Sequence, residues 1–285
     1  MVAEARPGRG PRRARPPAVA WGAAAVSSWQ RVAETVAIVG SVALCVIVAG
    51  PGGALENLLL PIFGSGEDPA ERLQELAFGV PLAILLVPGL ALWAWSPRLR
   101  PGGTALTVVA TLAVTIDLAL VSRLTPLAWA LLSALWLLAL YQVLTLPSLG
   151  PVSRRPPALL LAVGAGVAPW LVQAGRLLRE VPAGDDGLDG LVVIVFTLVV
   201  ALLLALPLVR PAAFAPAGHA AATGAITYAL ASLRWPGEVT AMPLVPALLA
   251  VATAVAYIDT VRLLAAPGTQ HAGAEGHGDN GDRPR

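Results

Sequence analysis

The stretch that decides the fold is LVVIVFTLVVALLLALPLV, Leu191 to Val209. It holds no ionisable side chain, and fifteen of its nineteen residues are Leu, Ile, Val or Phe. Summed on an insertion scale, such residues favour the bilayer by about 5 to 8 kcal/mol, an upper bound because end positions count less. As a helix the stretch rises about 28 Å, close to the hydrocarbon thickness of a membrane. The expectation is therefore a transmembrane helix.

Seven further windows read the same way. With this one they are Val32 to Ala49, Leu76 to Trp95, Thr104 to Val121, Pro126 to Leu146, Ala158 to Gln173, Leu191 to Val209, Ala212 to Leu233 and Met242 to Leu263. Leu55 to Phe63 is apolar but too short to cross, and is expected at the outer interface. The fold class is an all-α membrane protein, a bundle of about eight transmembrane helices. Composition agrees: 56% of residues are hydrophobic and 13% charged, against about 25% charged in soluble domains. The mean hydropathy is +0.74.

All 19 basic side chains are Arg, and Ala, Gly and Pro abound, which reads as the codon usage of a GC-rich, actinobacterial type of genome. The positive charge sits in short loops and at the ends, so topology explains it better than nucleic-acid binding. Fourteen arginines fall on one side of the eight windows, among them Arg98, Arg100, Arg154, Arg155 and Arg210. Five fall on the other: Arg72, Arg123, Arg176, Arg179 and Arg234. The positive-inside rule then puts both termini in the cytoplasm of a bacterial cell, with the chain in the plasma membrane. Seven tryptophans, Trp21, Trp29, Trp93, Trp95, Trp129, Trp170 and Trp235, fall near span ends as an interfacial belt would place them, and Trp136 does not. A single cysteine, Cys45, excludes an internal disulfide and a multi-thiolate metal site.

The chain divides near Gly150 into matching halves. Span two closes with Arg98, Leu99, Arg100, Pro101, and span six with Leu208, Val209, Arg210, Pro211. Span three ends in Ala119, Leu120, Val121, Ser122, Arg123, and span seven in Ala229, Leu230, Ala231, Ser232, Leu233, Arg234. Tyr141 and Tyr257 stand near the same end of spans four and eight. Acidic loops follow span one (Glu67, Asp68, Glu71) and span five (Glu180, Asp185, Asp186). The expected organisation is a disordered basic arm over 1–31, four-span units over 32–150 and 151–266, and a disordered tail over 267–285. Four crossings return the chain to its starting side, so the repeats run parallel. Low-complexity apolar sequence can imitate such a match.

Each unit, and Pro211 to Arg262 most closely, resembles the four-span N-terminal membrane module of actinobacterial sensor histidine kinases: a basic entry, a long outer loop, a span ending in Arg and Pro, a tight outer turn and a last span ending near Tyr. A phosphoacceptor helix and an ATP-binding domain would need far more chain than the short polar stretch after Arg262, so the expectation is that the resemblance implies membrane-embedded sensing or contact with partners and that kinase activity is not carried over.

Three polar groups qualify as sites. Asp117 lies in the third window, where an acid costs about 2.5 to 3.5 kcal/mol while the nine Leu, Ile and Val of Thr104 to Val121 return roughly 3 to 5. It must face the bundle, pair or be protonated; the plain alternative is a helix-end acid reaching water or Arg123. His219 shares a helix face with Thr223 and Thr227, beside a small-residue stripe of Ala217, Ala221, Ala225 and Ala229. It reads as a binding residue together with Thr223, or as a neutral histidine bonded to another span. Asp185, Asp186 and Asp189 spell a DDxxD pattern that could hold a metal, but interleaved glycines favour a solvated loop. Asp259 with Arg262, and Arg31 with Glu34, read as interfacial ion pairs. No cofactor is implied, because haem would need a second histidine within a span.

The first functional expectation is a non-catalytic sensory, accessory or scaffolding component whose partners are the lipid bilayer and another membrane protein or a second copy. A permease, with Asp117 and His219 in one cavity, is the alternative; an enzyme acting on a lipid or isoprenoid is the third.

Overall fold

The computed structural model describes residues 28–49, 73, 76–77, 79–121, 125–146, 156–180 and 188–265. The described residues are all-α, with no strand among them. Eight helices lie on the eight apolar windows: α1 (Ser28–Ala49), α2 (Pro81–Trp95), α3 (Arg100–Val121), α4 (Pro126–Leu144), α5 (Pro157–Glu180), α6 (Leu188–Ala205), α7 (Pro211–Arg234) and α8 (Leu244–Ala265). Two units are distinguished, the chain up to Val36 and the chain from Ala37 onward. In the first, the opening of α1 carries a Thr35 hydroxyl bonded back to the Arg31 carbonyl. All that follows concerns the second, in which the two expected halves lie together.

Four helical stretches among the described residues are long and apolar enough to cross a membrane: Pro97–Leu120, Pro157–Glu180, Gly190–Leu208 and Leu244–Leu264. Pro81–Trp95 and Ala128–Leu144 are apolar but shorter. α7 has the length, at 24 residues, but is not among those four. The most apolar stretch, Gly190–Leu208, is 61% buried inside the protein. A helix that is apolar all round can serve as the centre of a bundle, and α6 packs on α3, α5 and α7.

Prolines set most of the helix boundaries. Pro126 opens α4 behind Thr125, whose hydroxyl accepts the Ala128 N–H at 3.2 Å. α2 opens as a π-helix over Pro81–Leu86, and the Val87 N–H reaches back five residues to the Leu82 carbonyl. Pro88 follows at once and cannot donate, so the ladder is interrupted on both sides of that turn. The joints from α2 to α3 and from α6 to α7 are built alike. Each ends the incoming helix in a 3-10 turn, Pro97–Leu99 or Leu206–Leu208, and each starts the outgoing helix at an Arg-Pro pair, Arg100-Pro101 or Arg210-Pro211.

Close backbone approach fixes the order of packing. A Cβ on Gly103 would lie 2.8 Å from the Trp93 nitrogen, and one on Gly89 would lie 2.9 Å from Leu106 Cβ, so α2 and α3 run antiparallel in near contact. Helices α5 to α8 close a ring, each packed on the next and α8 on α5. α3 packs on α6 and α7, while the π turn of α2 packs on α7. The pairings of α3 with α6 and of α7 with α2 join the chain before Gly150 to the chain after it. α1 joins through Ala37 and Leu44, and its Cys45 thiol points at the Val87 carbonyl, 3.6 Å away.

Two expectations are corrected here. Trp93 and Trp170 do not belong to an interfacial belt: both are buried in the core, Trp93 edge-on to Tyr141 and Trp170 edge-on to Phe196. Trp95 and Trp129 are exposed, as a belt requires. The fifth window also ends too early. α5 continues from Gln173 to Glu180, because its polar residues find partners along one face instead of ending the helix.

Candidate functional site

The densest polar constellation among the described residues is where α5 meets the connection from α7 to α8. Gln173, Arg176 and Glu180 are spaced three and four apart, so they share a face of α5. Arg176 spans 3.0 Å to the Glu180 carboxylate, and its Nε donates to Gln173 Oε1 at 3.3 Å. Its Nη2 donates to the carbonyls of Val239 at 2.8 Å and Ala241 at 2.6 Å. The carbonyl between them, on Thr240, accepts from Gln173 Nε2 at 3.0 Å and from the Tyr228 hydroxyl at 2.8 Å. Three consecutive carbonyls of one connection are thus held by donors from α5 and α7. Charge-assisted bonds of this kind are the strong ones, and here they are partly shielded.

Below the clamp lie three rings from three helices. Trp170 is 5.9 Å from Phe196 and 6.2 Å from Tyr228, and Phe196 is 5.0 Å from Tyr228. All three are buried. A displacement of the connection therefore pulls on Tyr228 and through it on the packing of α5, α6 and α7. The apolar windows place Arg176 in an outer loop, and they give no sign of Gln173, Tyr228 or Thr240 as site residues. The polar spacing of Gln173, Arg176 and Glu180 is the signal that could have found the clamp.

At the opposite end of the ring, Tyr257 fills a socket made by three helices. Its hydroxyl donates to the Leu204 carbonyl of α6 at 2.9 Å, and its ring lies 3.6 Å from the position of a Cβ on Gly166 of α5. On the α7 side it abuts Gly218 so closely that a methyl there would overlap the hydroxyl. Tyr141, its counterpart on α4, packs on Trp93 in the last turn of α2.

The residues singled out from sequence are not brought together. Asp117 is buried in α3, and its Oδ1 has no hydrogen-bond partner. His219 of α7 meets the Ile258 backbone carbonyl of α8, while its Nε2 is buried without a partner. The Thr223 hydroxyl bonds back to the His219 carbonyl, and that of Thr227 back to the Thr223 carbonyl; Thr223 is exposed. The alanine stripe of α7 is buried throughout, as its small side chains suggest.

Asp117 and His219 lie at different levels. A Cβ on Gly102 would meet the Ala213 carbonyl and Pro216, so the beginnings of α3 and α7 are level. Val80, at the far end of α2 from Trp93, meets the position of a Cβ on Gly224, so α3 and α7 run in the same direction. Asp117 is then about 22 Å beyond the common level and His219 about 5 to 9 Å, a difference of about 15 Å along the axis.

Asp185 and Asp186 lie outside the described residues; Asp189 belongs to α6, with its side chain outside them. Among the described residues no three His, Cys, Asp or Glu side chains gather as a metal site would require. Asp259 and Arg262 are both exposed, and no ion pair joins them. Compared with protein-family models, curated proteins and solved structures, the chain matches none.

Proposed function

We propose that the chain is a multi-pass integral membrane protein of about eight transmembrane helices, arranged as two parallel four-helix repeats, that acts without catalysis as a sensory, accessory or scaffolding component. Both termini face the cytoplasm of a bacterial cell, and the α7–α8 connection faces outward. The four long apolar stretches support membrane insertion. The like joints at Arg100-Pro101 and Arg210-Pro211, the exchange of corresponding helices in the packing, and the placement of Tyr141 and Tyr257 against the second helix of their own half support the repeat. The resemblance to four-span sensor modules is of the same kind.

The clamp on the α7–α8 connection is the observation that carries the functional reading. Arg176, Gln173 and Tyr228 fix an outward connection to the packed centre of the second repeat, which gives a partner or signal on that face a direct mechanical route to α5, α6 and α7. The level difference between Asp117 and His219 weighs against one cavity that holds both. Affinity capture in mild detergent from native membranes tests the reading. The wild-type chain is expected to retain a specific membrane-protein partner, or a second copy of itself, that Arg176→Ala releases, whereas Asp117→Asn retains it. Capture of nothing specific, or equal capture by Arg176→Ala, refutes it.

A further inference from the structure

The end of the bundle where α2 turns into α3 and α6 into α7 carries cations that the fold leaves unanswered. Arg98 lies within the 3-10 turn Pro97–Leu99, Arg210 stands immediately ahead of α7, and Arg262 belongs to the last turn of α8; all three are exposed. Among the described residues none of the three makes an ion pair or a side-chain hydrogen bond, in contrast to Arg176 at the other end, which Glu180 and two carbonyls hold. Among the described residues from Ala37 onward the one acid near them is Asp259, exposed and not paired with Arg262.

Backbone contacts bring these positions to one end. A Cβ on Gly102, four residues after Arg98, would lie 2.9 Å from the carbonyl of Ala213, three residues after Arg210, and the Pro97–Leu99 turn packs on α7. His219 of α7 meets the Ile258 carbonyl of α8, and Arg262 lies one turn further on, about 6 Å, alongside the first turns of α7. The joints hold themselves: the Leu99 N–H donates to the Ser96 carbonyl and the Val209 N–H to the Leu206 carbonyl, each at 2.9 Å. Like charges fixed at one end in this way call for anions from the surroundings.

Each cation also has an apolar side chain turned outward beside it: Trp95 near Arg98, Val209 next to Arg210 and Leu263 next to Arg262. An apolar group at the acyl boundary with a cation reaching past it suits the level of lipid headgroups. We propose that this end of the bundle is a binding surface for anionic phospholipids, with Arg98, Arg210 and Arg262 taking their headgroup phosphates. The guanidinium fork matches paired phosphate oxygens, and each arginine can take a separate headgroup, so the surface needs no cavity. A zwitterionic headgroup brings its own cation and leaves the charge of the patch unanswered. The inference rests on the reading of the chain as membrane-spanning and is independent of the clamp.

The test titrates the full chain in dodecyl maltoside micelles with phosphatidylglycerol that carries a fluorescent acyl chain. Binding is expected to be saturable, tighter than that of identically labelled phosphatidylcholine, and weakened by added salt. An arginine near an anionic surface is worth about fivefold, so the triple variant Arg98→Gln, Arg210→Gln, Arg262→Gln should bind about 100-fold more weakly. Arg179→Gln makes the same charge change at an exposed position of the other end and should bind as the wild type does. Equal affinity of the wild type for the two lipids, or an equal loss in Arg179→Gln and Arg210→Gln, overturns the proposal. Displacement of the labelled lipid by excess inorganic phosphate assigns the patch to a free anion and overturns it too; retention supports the headgroup. If the triple variant does not fold, the lipid preference of the wild type and its salt dependence decide. Alkaline carbonate washing of native membranes separates the two readings: a chain that stays in the membrane yet shows no preference for phosphatidylglycerol refutes this inference alone, and a chain that washes out refutes the membrane reading and this inference with it.

Discussion

Gly218→Ala is the most informative single change, because the structure says what the added methyl meets. It would overlap the Tyr257 hydroxyl and lie 3.0 Å from Pro207 Cγ and 3.1 Å from Tyr257 Cζ. Tyr257 cannot withdraw freely: it is buried, hydrogen-bonded to Leu204 and packed toward Gly166. Overpacking of this kind costs about 1–3 kcal/mol. Forcing the hydroxyl off the Leu204 carbonyl leaves buried polar atoms unsatisfied for about another 1–3 kcal/mol. The total expected is about 2–6 kcal/mol, read as a lowered midpoint for unfolding of the full chain in mixed detergent micelles. Tyr257→Phe removes the overlapping oxygen at a cost of about 1 kcal/mol for its hydrogen bond. The double variant should then be about 1–2 kcal/mol more stable than the sum of the two single losses implies. A Gly218→Ala protein as stable as the wild type, or strict additivity with Tyr257→Phe, would refute the socket.

Gly175→Ala is the matched control, since nothing lies within 4 Å of the added methyl, and helix propensity should make it neutral or about 0.5–1 kcal/mol more stable in the same unfolding assay. Arg176→Ala removes the bonds to Val239 and Ala241, a local loss of about 2 kcal/mol, so a glutamate-specific protease should cut after Glu238 about 30-fold faster wherever opening precedes cleavage. Asp117→Leu should favour insertion of the α3 segment by about 2–4 kcal/mol in a translocation reporter; an unchanged inserted fraction would mean that Asp117 lies outside the hydrocarbon. Trp136→Phe gives up the 3.0 Å bond to the Thr115 hydroxyl at an exposed position, and about 0.5–1 kcal/mol should be lost on unfolding.

Sequence alone determined where the helices lie. All eight apolar windows are occupied by helices, since hydropathy and proline placement are properties of adjacent residues, and the Arg-Pro pairs at 100–101 and 210–211 mark two boundaries by themselves. It also determined that α7, with its alanine stripe, would be an interior helix. Only the tertiary structure decided which faces meet. That Trp93 and Trp170 turn inward, that α6 sits among three helices, that α5 continues past Gln173 to seize the carbonyls of residues 239–241, and that Tyr257 rests on Gly218 all depend on groups distant in the chain. A glycine's value as a close-approach point is set by the helix that arrives opposite it, and one apolar face is much like another until backbone clearances choose between them.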